Sequence, residues 1–89
     1  MKIKEGFIIR PVLDSFVVMP LGAAVVDFNG MLRLNASGAF LWHKLENGAT
    51  LDTLAEALVA EYGIAPETAR QDARDFTEML DKAGCLIVD

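Results

Sequence analysis

The chain has 89 residues, a net charge of −5, and 53% hydrophobic residues. A chain of this length forms one domain with a small interior, so it cannot bury all of that apolar surface. We therefore expect a single domain over residues 1–89 that leaves apolar surface exposed for a binding partner. The alternative is that the excess is largely alanine, which is exposed at little cost.

The charge is unevenly distributed along the chain. Residues 1–44 contain five basic and three acidic side chains, whereas residues 45–89 contain three basic and ten acidic ones. Binding to nucleic acid requires a basic stripe that releases counterions from the phosphates. The second half offers no such stripe, and we predict no nucleic acid partner.

The sequence also limits the compartment in which the protein works. Cys85 is the single cysteine, so no internal disulfide can form and a reducing environment is expected. No apolar run approaches the ~18 residues of a membrane span, and the N-terminus lacks the pattern of a signal peptide. We predict a cytoplasmic protein with no membrane partner.

Short apolar runs separated by turn residues predict β-strands in the first part of the chain. The elements are a polar lead over residues 2–5, a strand over 7–12, a turn at Asp14-Ser15 and a strand over 16–19. Pro11 lacks a backbone N–H, so the first of these strands should lie at an edge or end there. Pro20 and Gly22 end the second strand.

A second hairpin is predicted between residues 24 and 34. The runs 24–28 and 31–34 flank Asn29-Gly30, and both of these residues tolerate the positive φ angles of a type I′ turn.

Three helices follow the strands. They are predicted from the Asn35 cap to Gly48, from the Thr50 cap to Gly63, and from Pro66 to the Gly84 cap. In the second helix, apolar residues recur from Leu51 to Tyr62 at offsets 0, 3, 4, 7, 8 and 11, which is typical of one buried face. In the first helix, we expect Trp42 to form the centre of the core. Residues 85–88 form an apolar tail that packs on the helices or adds a minor strand.

These elements predict an α+β fold. N-terminal antiparallel strands or hairpins precede a three-helix bundle, in an arrangement like that of a winged helix-turn-helix domain.

The residue types needed for catalysis are scarce. His43 is the single histidine and is predicted on the outer side of the first helix, while Cys85 lies in an apolar stretch as a small buried side chain. One His and one Cys do not form a dedicated metal site, and no glycine-rich phosphate loop is present. We predict a protein that is not an enzyme and has no cofactor or metal.

The stretch LNASGAFLW resembles the pyrroloquinoline quinone biosynthesis protein D family. Leu34-Asn35 corresponds to the pair that closes the last strand in that family, and Leu41-Trp42 to an apolar-Trp pair in its first helix. Gly48 fits the glycine that follows this helix. The resemblance runs from about residue 30 through TLDTLAEALVAEYGIAPETA to the closing AGCLI. The family usually has three N-terminal strands, whereas this sequence predicts two hairpins.

The resemblance implies a function in peptide recognition. Members of this family bind the leader of a ribosomally made precursor peptide as an added strand and present it to a radical S-adenosylmethionine enzyme. Carried over to this chain, the peptide would lie between the strand that ends at Leu34 and the third helix. The implied peptide-binding residues are Met31, Leu32, Arg33, Leu34, Ala69, Arg70, Ala73, Arg74 and Thr77.

Within this set, the small Ala69 and Ala73 are expected to form the floor of the groove. Arg33, Arg70 and Arg74 could meet carboxylates of an acidic leader, or simply keep the surface soluble.

Two other functions remain as alternatives. The chain could be a structural subunit of a larger complex, with its apolar surface matched to one partner protein. It could also be a winged-helix DNA-binding protein, but the acidic third helix opposes binding to phosphate.

Overall fold

A computed structural model describes residues 1–22 and 32–88, and it has the predicted α+β fold with antiparallel strands ahead of three helices. The elements are β1 (Lys2–Ile3), β2 (Phe7–Val12), β3 (Ser15–Pro20), β4 (Leu32–Leu34), α1 (Ala36–Glu46), α2 (Leu51–Tyr62), α3 (Pro66–Ala83) and β5 (Leu86–Ile87). The described strands form a three-stranded antiparallel sheet in the order β2-β3-β4 and a two-stranded sheet of β1 and β5.

The turn of the first hairpin lies one residue earlier than predicted. Val12 pairs with Ser15, and the Ser15 hydroxyl donates to the Val12 carbonyl oxygen at 3.2 Å, so Ser15 already belongs to β3. The turn is therefore Leu13-Asp14. Leu13 has a φ of 56° and its side chain is 98% exposed. A leucine in the left-handed region is unusual, which is why the sequence did not indicate this turn.

The strand predicted after residue 30 is present over its described part. Leu32–Leu34 forms β4, which pairs antiparallel with β3 through Phe16 opposite Leu34 and Val18 opposite Leu32. The predicted strand over 24–28, the Asn29-Gly30 turn and Met31 lie outside the described residues.

The polar lead predicted over residues 2–5 is wrong in part. Lys2 and Ile3 pair with Ile87 and Leu86, and Ile3 is buried. A strand of two residues shows no periodicity, so the sequence could not identify it. The minor strand predicted for the C-terminal tail is confirmed as β5, and β1 is its partner.

The predicted helix boundaries are confirmed by their caps. The Asn35 side chain accepts a hydrogen bond from the Gly38 N–H at 2.8 Å, and Thr50 forms a capping box with Thr53. Gly63 and Gly84 end α2 and α3 in the left-handed conformation, with φ of 65° and 84°.

Trp42 lies at the centre of the core, as predicted. Its side chain is 1% exposed, and the Phe7 ring meets it edge-on with 6.4 Å between the ring centroids. Residues from both sheets and all three helices join the same cluster: Ile3, Val18, Leu34, Leu41, Trp42, Leu45, Leu54, Ala55, Leu58, Ala69, Ala73, Leu80, Cys85 and Leu86. The tryptophan thus links the helices to the sheet.

We expect Trp42→Ala to lower the free energy of unfolding by ~3–5 kcal/mol, the cost of removing a large buried aromatic side chain. A domain of this size has a total stability of about 5 kcal/mol, so the variant should be largely unfolded. Thermal unfolding followed by circular dichroism measures this effect. His43→Ala, on the exposed side of the same helix, is the control. A cooperative transition of Trp42→Ala close to that of the control would contradict the assignment.

Candidate functional site

The hydrogen-bonding directions in the sheet follow from its register. Val12 and Ser15 flank a two-residue turn and therefore form a hydrogen-bonded pair. Hydrogen-bonded and non-hydrogen-bonded pairs alternate along an antiparallel ladder, so the next pair, Pro11 with Phe16, is non-hydrogen-bonded. This agrees with the missing N–H of Pro11. The backbone groups of Phe16 consequently point to β4.

The same alternation determines which backbone groups β4 presents on its other side. Phe16 with Leu34 is a hydrogen-bonded pair, so the next pair, Val17 with Arg33, is not. The N–H and C=O of Arg33 therefore point away from β3. Within the described residues no strand pairs with this side of β4, so these two groups are positioned to pair with an added strand.

A groove of about 750 Å³ begins where β4 ends. It lies between the first turn of α1, the C-terminal end of α2 and the middle of α3. Its lining consists of Asn35, Ala36, Ser37, Gly38, Leu41, Leu58, Tyr62, Ile64, Asp72, Asp75, Phe76 and Met79. Most of the lining surface is apolar, which is typical of sites that receive a peptide or small molecule.

Gly38 sets how closely α1, α3 and β4 approach each other beside the groove. A Cβ atom at this position would lie 3.3 Å from the Leu34 Cβ, 3.4 Å from the Phe76 Cε1 and 3.2 Å from the Asn35 Oδ1. Glycine therefore allows the Phe76 ring to lie directly against the strand–helix junction. The side chain of Asn35 is already engaged, because its Oδ1 accepts from the Gly38 N–H and from the Ser37 hydroxyl at 3.0 Å.

The charged side chains of the groove are acidic. Asp72 and Asp75 both line it from α3, and no lysine or arginine is among its described lining residues. Asp75 accepts a hydrogen bond from the Gln71 side-chain amide at 2.8 Å, which holds its carboxylate in place. The groove therefore combines an apolar interior with negative charge.

Three of the predicted peptide-binding residues lie beneath the surface. Ala69 and Ala73 are 0% exposed and Thr77 is 7% exposed, with the Thr77 hydroxyl donating to the Arg74 carbonyl oxygen at 3.0 Å. These residues pack α3 on the core, so Ala69 and Ala73 do not form an open groove floor as expected.

The two arginines of α3 lie on the opposite flank of the helix from the groove. Arg70 forms an exposed ion pair with Asp52 of α2 and borders a separate depression with Val59 and Pro66. At 100° per residue, Arg74 points about 160° away from Phe76, and its side chain is exposed. Neither arginine lines the groove.

The predicted residues of β4 divide between two faces of the sheet. Leu34 is buried in the core and Leu32 is packed against it. Arg33 is exposed on the opposite face, beside Val17. Met31 lies outside the described residues. Whether any of the nine predicted residues binds a peptide stays a prediction.

The groove residues of α3 that the sequence analysis missed are Asp72, Asp75, Phe76 and Met79. They are spaced by three and four residues, so they share one flank of the helix, next to the buried stripe of Ala69, Ala73 and Leu80. The available signal was the extension of apolar character from this stripe to Met79. The acidic residues concealed it, because charged helix positions usually indicate a solvated face.

The residues considered for chemistry lie apart from the groove. The His43 Nδ1 is 2.8 Å from the Glu46 Oε1 on the exposed side of α1, and Cys85 is buried after α3. In the ranges 1–22 and 32–88, no group of three or more His, Cys, Asp or Glu residues is arranged to hold a metal ion. The helices described here are all too short or too polar to cross a membrane.

Comparison with protein families identifies the fold. The family model for coenzyme PQQ synthesis protein D (PqqD) matches residues 16–86, which is well over half of the chain. This chain belongs to the PqqD family. The resemblance predicted from the sequence is thereby confirmed, and it extends through β3, further toward the N-terminus than the motifs indicated. No curated protein matches the chain significantly.

Two solved structures are similar over nearly the whole chain. One is described as "TbiB1 in Complex with the TbiA(beta) Leader Peptide", with 27% identity, a TM-score of 0.77 and coverage of 100% of both chains. The other is described as "Lasso peptide synthetase B1 complexed with the leader peptide", with 17% identity, a TM-score of 0.76 and coverage of 98% of this chain and 96% of that one. At this lower identity, the second structure supports the fold alone.

The buried thiol gives a prediction about reactivity. Burial raises the pKa of Cys85 to about 11, although the nearby Lys4 acts in the opposite direction. Since the thiolate is the reactive species, Cys85 should react with a thiol reagent at pH 8 at least ~100-fold more slowly in the folded protein than in urea. The stability that the neutral thiol contributes should be complete below about pH 9 and should fall as the pH rises toward 11.

With a thiol reagent that releases a chromophore on reaction, the increase in absorbance measures the labelling rate of Cys85. The Cys85→Ala variant is the blank. Comparable labelling rates with and without urea would contradict the burial of this thiol.

Proposed function

We propose that this chain binds the leader of a ribosomally made precursor peptide and holds it for a peptide-modifying enzyme. The observation that carries the proposal is the juxtaposition of the outward-facing N–H and C=O of Arg33 with the groove that begins at Asn35. Membership of the PqqD family supports it, as does the similarity to a structure described as a leader peptide complex.

In the proposed complex, the leader adds as a strand to the side of β4 opposite β3 and runs between β4 and α3. Backbone hydrogen bonds to Arg33 fix the register of the peptide. Alternate side chains of a strand point to the same face, so every second residue of the peptide would point into the groove. Phe76, Tyr62 and Met79 offer these residues apolar contacts.

The proposed role is binding and presentation, without catalysis by this chain. The second participant is therefore an enzyme that modifies the bound precursor, in the cytoplasm, where such precursors are made. The family resemblance favours a radical S-adenosylmethionine enzyme. The 27% identity to TbiB1 over both complete chains favours the alternative of an enzyme like those that work on the TbiA(beta) precursor.

Arg33→Pro should weaken leader binding by up to about tenfold, because proline lacks the N–H that would donate to a carbonyl oxygen of the peptide. The probe is a synthetic peptide covering the leader of a candidate precursor, and isothermal titration calorimetry gives the affinity. Arg74→Pro would break a helix, so the controls are two charge reversals: Arg33→Glu and Arg74→Glu change the net charge by the same amount, at β4 and away from it, and keep the backbone N–H. The thermal transition of each variant verifies folding.

An amide NMR titration tests the location independently. We expect chemical shift changes at Leu32–Leu34 and along the groove. Methylating the backbone nitrogens of the leader one at a time should impair binding most at the one position whose N–H donates to the Arg33 carbonyl oxygen. Shift changes confined to the outer face of residues 50–62 would refute the proposed site. A chain that binds only a folded partner, and no leader peptide, would be a structural subunit instead.

A further inference from the structure

The side chains that line the groove indicate which side chains the bound peptide has. We infer that the leader segment seated in it has a lysine or arginine two positions from an apolar residue, with both side chains on the groove side. This inference rests on the proposed function and adds the class of sequence that the site selects. It differs from the acidic leader that the arginines of the sequence suggested.

The apolar part of the pattern follows from exposed hydrophobic surface at one end of the groove. Tyr62 is 45% exposed and Met79 is 37% exposed, although both are large apolar side chains of helices that pack in the core. The Tyr62 ring is held by an edge-on contact with Phe40, with 5.7 Å between centroids. A preformed apolar surface of this kind gains free energy when an apolar side chain of a peptide covers it.

The basic residue of the inferred peptide follows from the polar groups of the groove lining that can still bind a ligand. The Asn35 Oδ1 already accepts two hydrogen bonds, from Gly38 and Ser37. Asp72 and Asp75 are then the charged groups that the described lining offers to a ligand. An ammonium or guanidinium group would complement them, whereas a carboxylate of the peptide would be repelled.

The three arginines that the sequence analysis assigned to the peptide site do not reverse this preference. Arg70 is paired with Asp52 across the α2–α3 contact, and Arg74 lies on the far flank of α3. Arg33 is on the outer face of β4 and therefore meets the peptide residues that point away from the groove. An acidic residue of the leader can be accommodated on that outer side only.

The two-residue spacing comes from matching a strand to a helix. Asp72 and Asp75 are three residues apart, and each is four residues before an apolar lining residue, Phe76 or Met79, so such pairs of side chains are about 5–6 Å apart. Residues i and i+2 of a strand are separated by about 6.6 Å and share a face. One peptide side chain can therefore cover Phe76 and Met79 while the next on the same face reaches the carboxylates.

The test is selection from a random 12-residue peptide library displayed on phage, which requires no knowledge of the natural leader. The baits are the wild type, the Asp72→Asn, Asp75→Asn double variant and the Glu78→Gln, Asp81→Asn double variant. The last is a matched control, because it removes two negative charges from α3 outside the groove. We expect the wild type and the control to enrich a basic residue two positions from an apolar one, and the groove variant to lose this preference.

The affinities of one selected peptide and its Lys→Gln or Arg→Gln form then give a double-mutant cycle. Replacing both aspartates should weaken binding of the basic peptide about fivefold, leave the glutamine peptide nearly unchanged, and lose this difference at 0.5 M salt. Equal enrichment on all baits, or a preference of the wild type for acidic residues, would overturn the inference.

The Arg33→Pro variant separates this inference from the proposed function. If Arg33→Pro weakens binding of the selected peptides but the aspartate variants bind them as the wild type does, strand addition stands and the basic preference is refuted. If Arg33→Pro has no effect on peptides that depend on Asp72 and Asp75, the groove preference stands and strand addition is refuted. If the wild type enriches no peptide, both are refuted.

Discussion

The hydrogen bond from the Gly38 N–H to the Asn35 side chain is the contact on which the candidate site depends. It ends β4 and begins α1 at the same residue, so the direction of the strand edge is fixed relative to the helix. The absence of a side chain at Gly38 then lets Phe76 of α3 approach the junction. Asn35, Gly38 and Phe76 thereby determine the positions of the strand edge, the start of α1 and the wall of the groove. Trp42, one turn after Gly38 in α1, is buried and anchors this helix in the core.

The sequence was a reliable guide where one residue type has one local use. Asn35, Thr50, Gly63 and Gly84 occupy the predicted helix ends because caps depend on the chemistry of a few adjacent atoms. The pairing of β1 with β5 was not predictable, since it joins residues at opposite ends of the chain and each strand has two residues. The turn at Leu13 was missed because a leucine with positive φ is stabilised by the hairpin around it and has no local signature.

The groove is lined by α3, as the sequence analysis implied, but by other side chains of that helix than the ones it named, and whether the named residues bind a peptide stays a prediction. The strand before Asn35 and the helix from Pro66 were identified through family resemblance, but the small Ala69 and Ala73 were interpreted as a groove floor. Helical periodicity reveals which residues are buried, but it does not reveal on which flank of the buried stripe a neighbouring element leaves a gap. That depends on where α1 and the end of α2 meet α3, and this geometry places Asp72 and Asp75 beside the gap.

The shortness of β4 gives the groove its importance. Among the described residues of this strand, Arg33 alone directs backbone groups outward, so pairing there adds about two hydrogen bonds. Each contributes ~0.5–1.5 kcal/mol net, whereas even a millimolar complex requires about 4 kcal/mol. Burying one or two apolar side chains of a peptide in the groove adds ~1.5–3 kcal/mol each, so the groove contributes at least as much as the strand edge. On this account the edge sets the register of the peptide, and the side chains of α1, α2 and α3 determine which peptide binds.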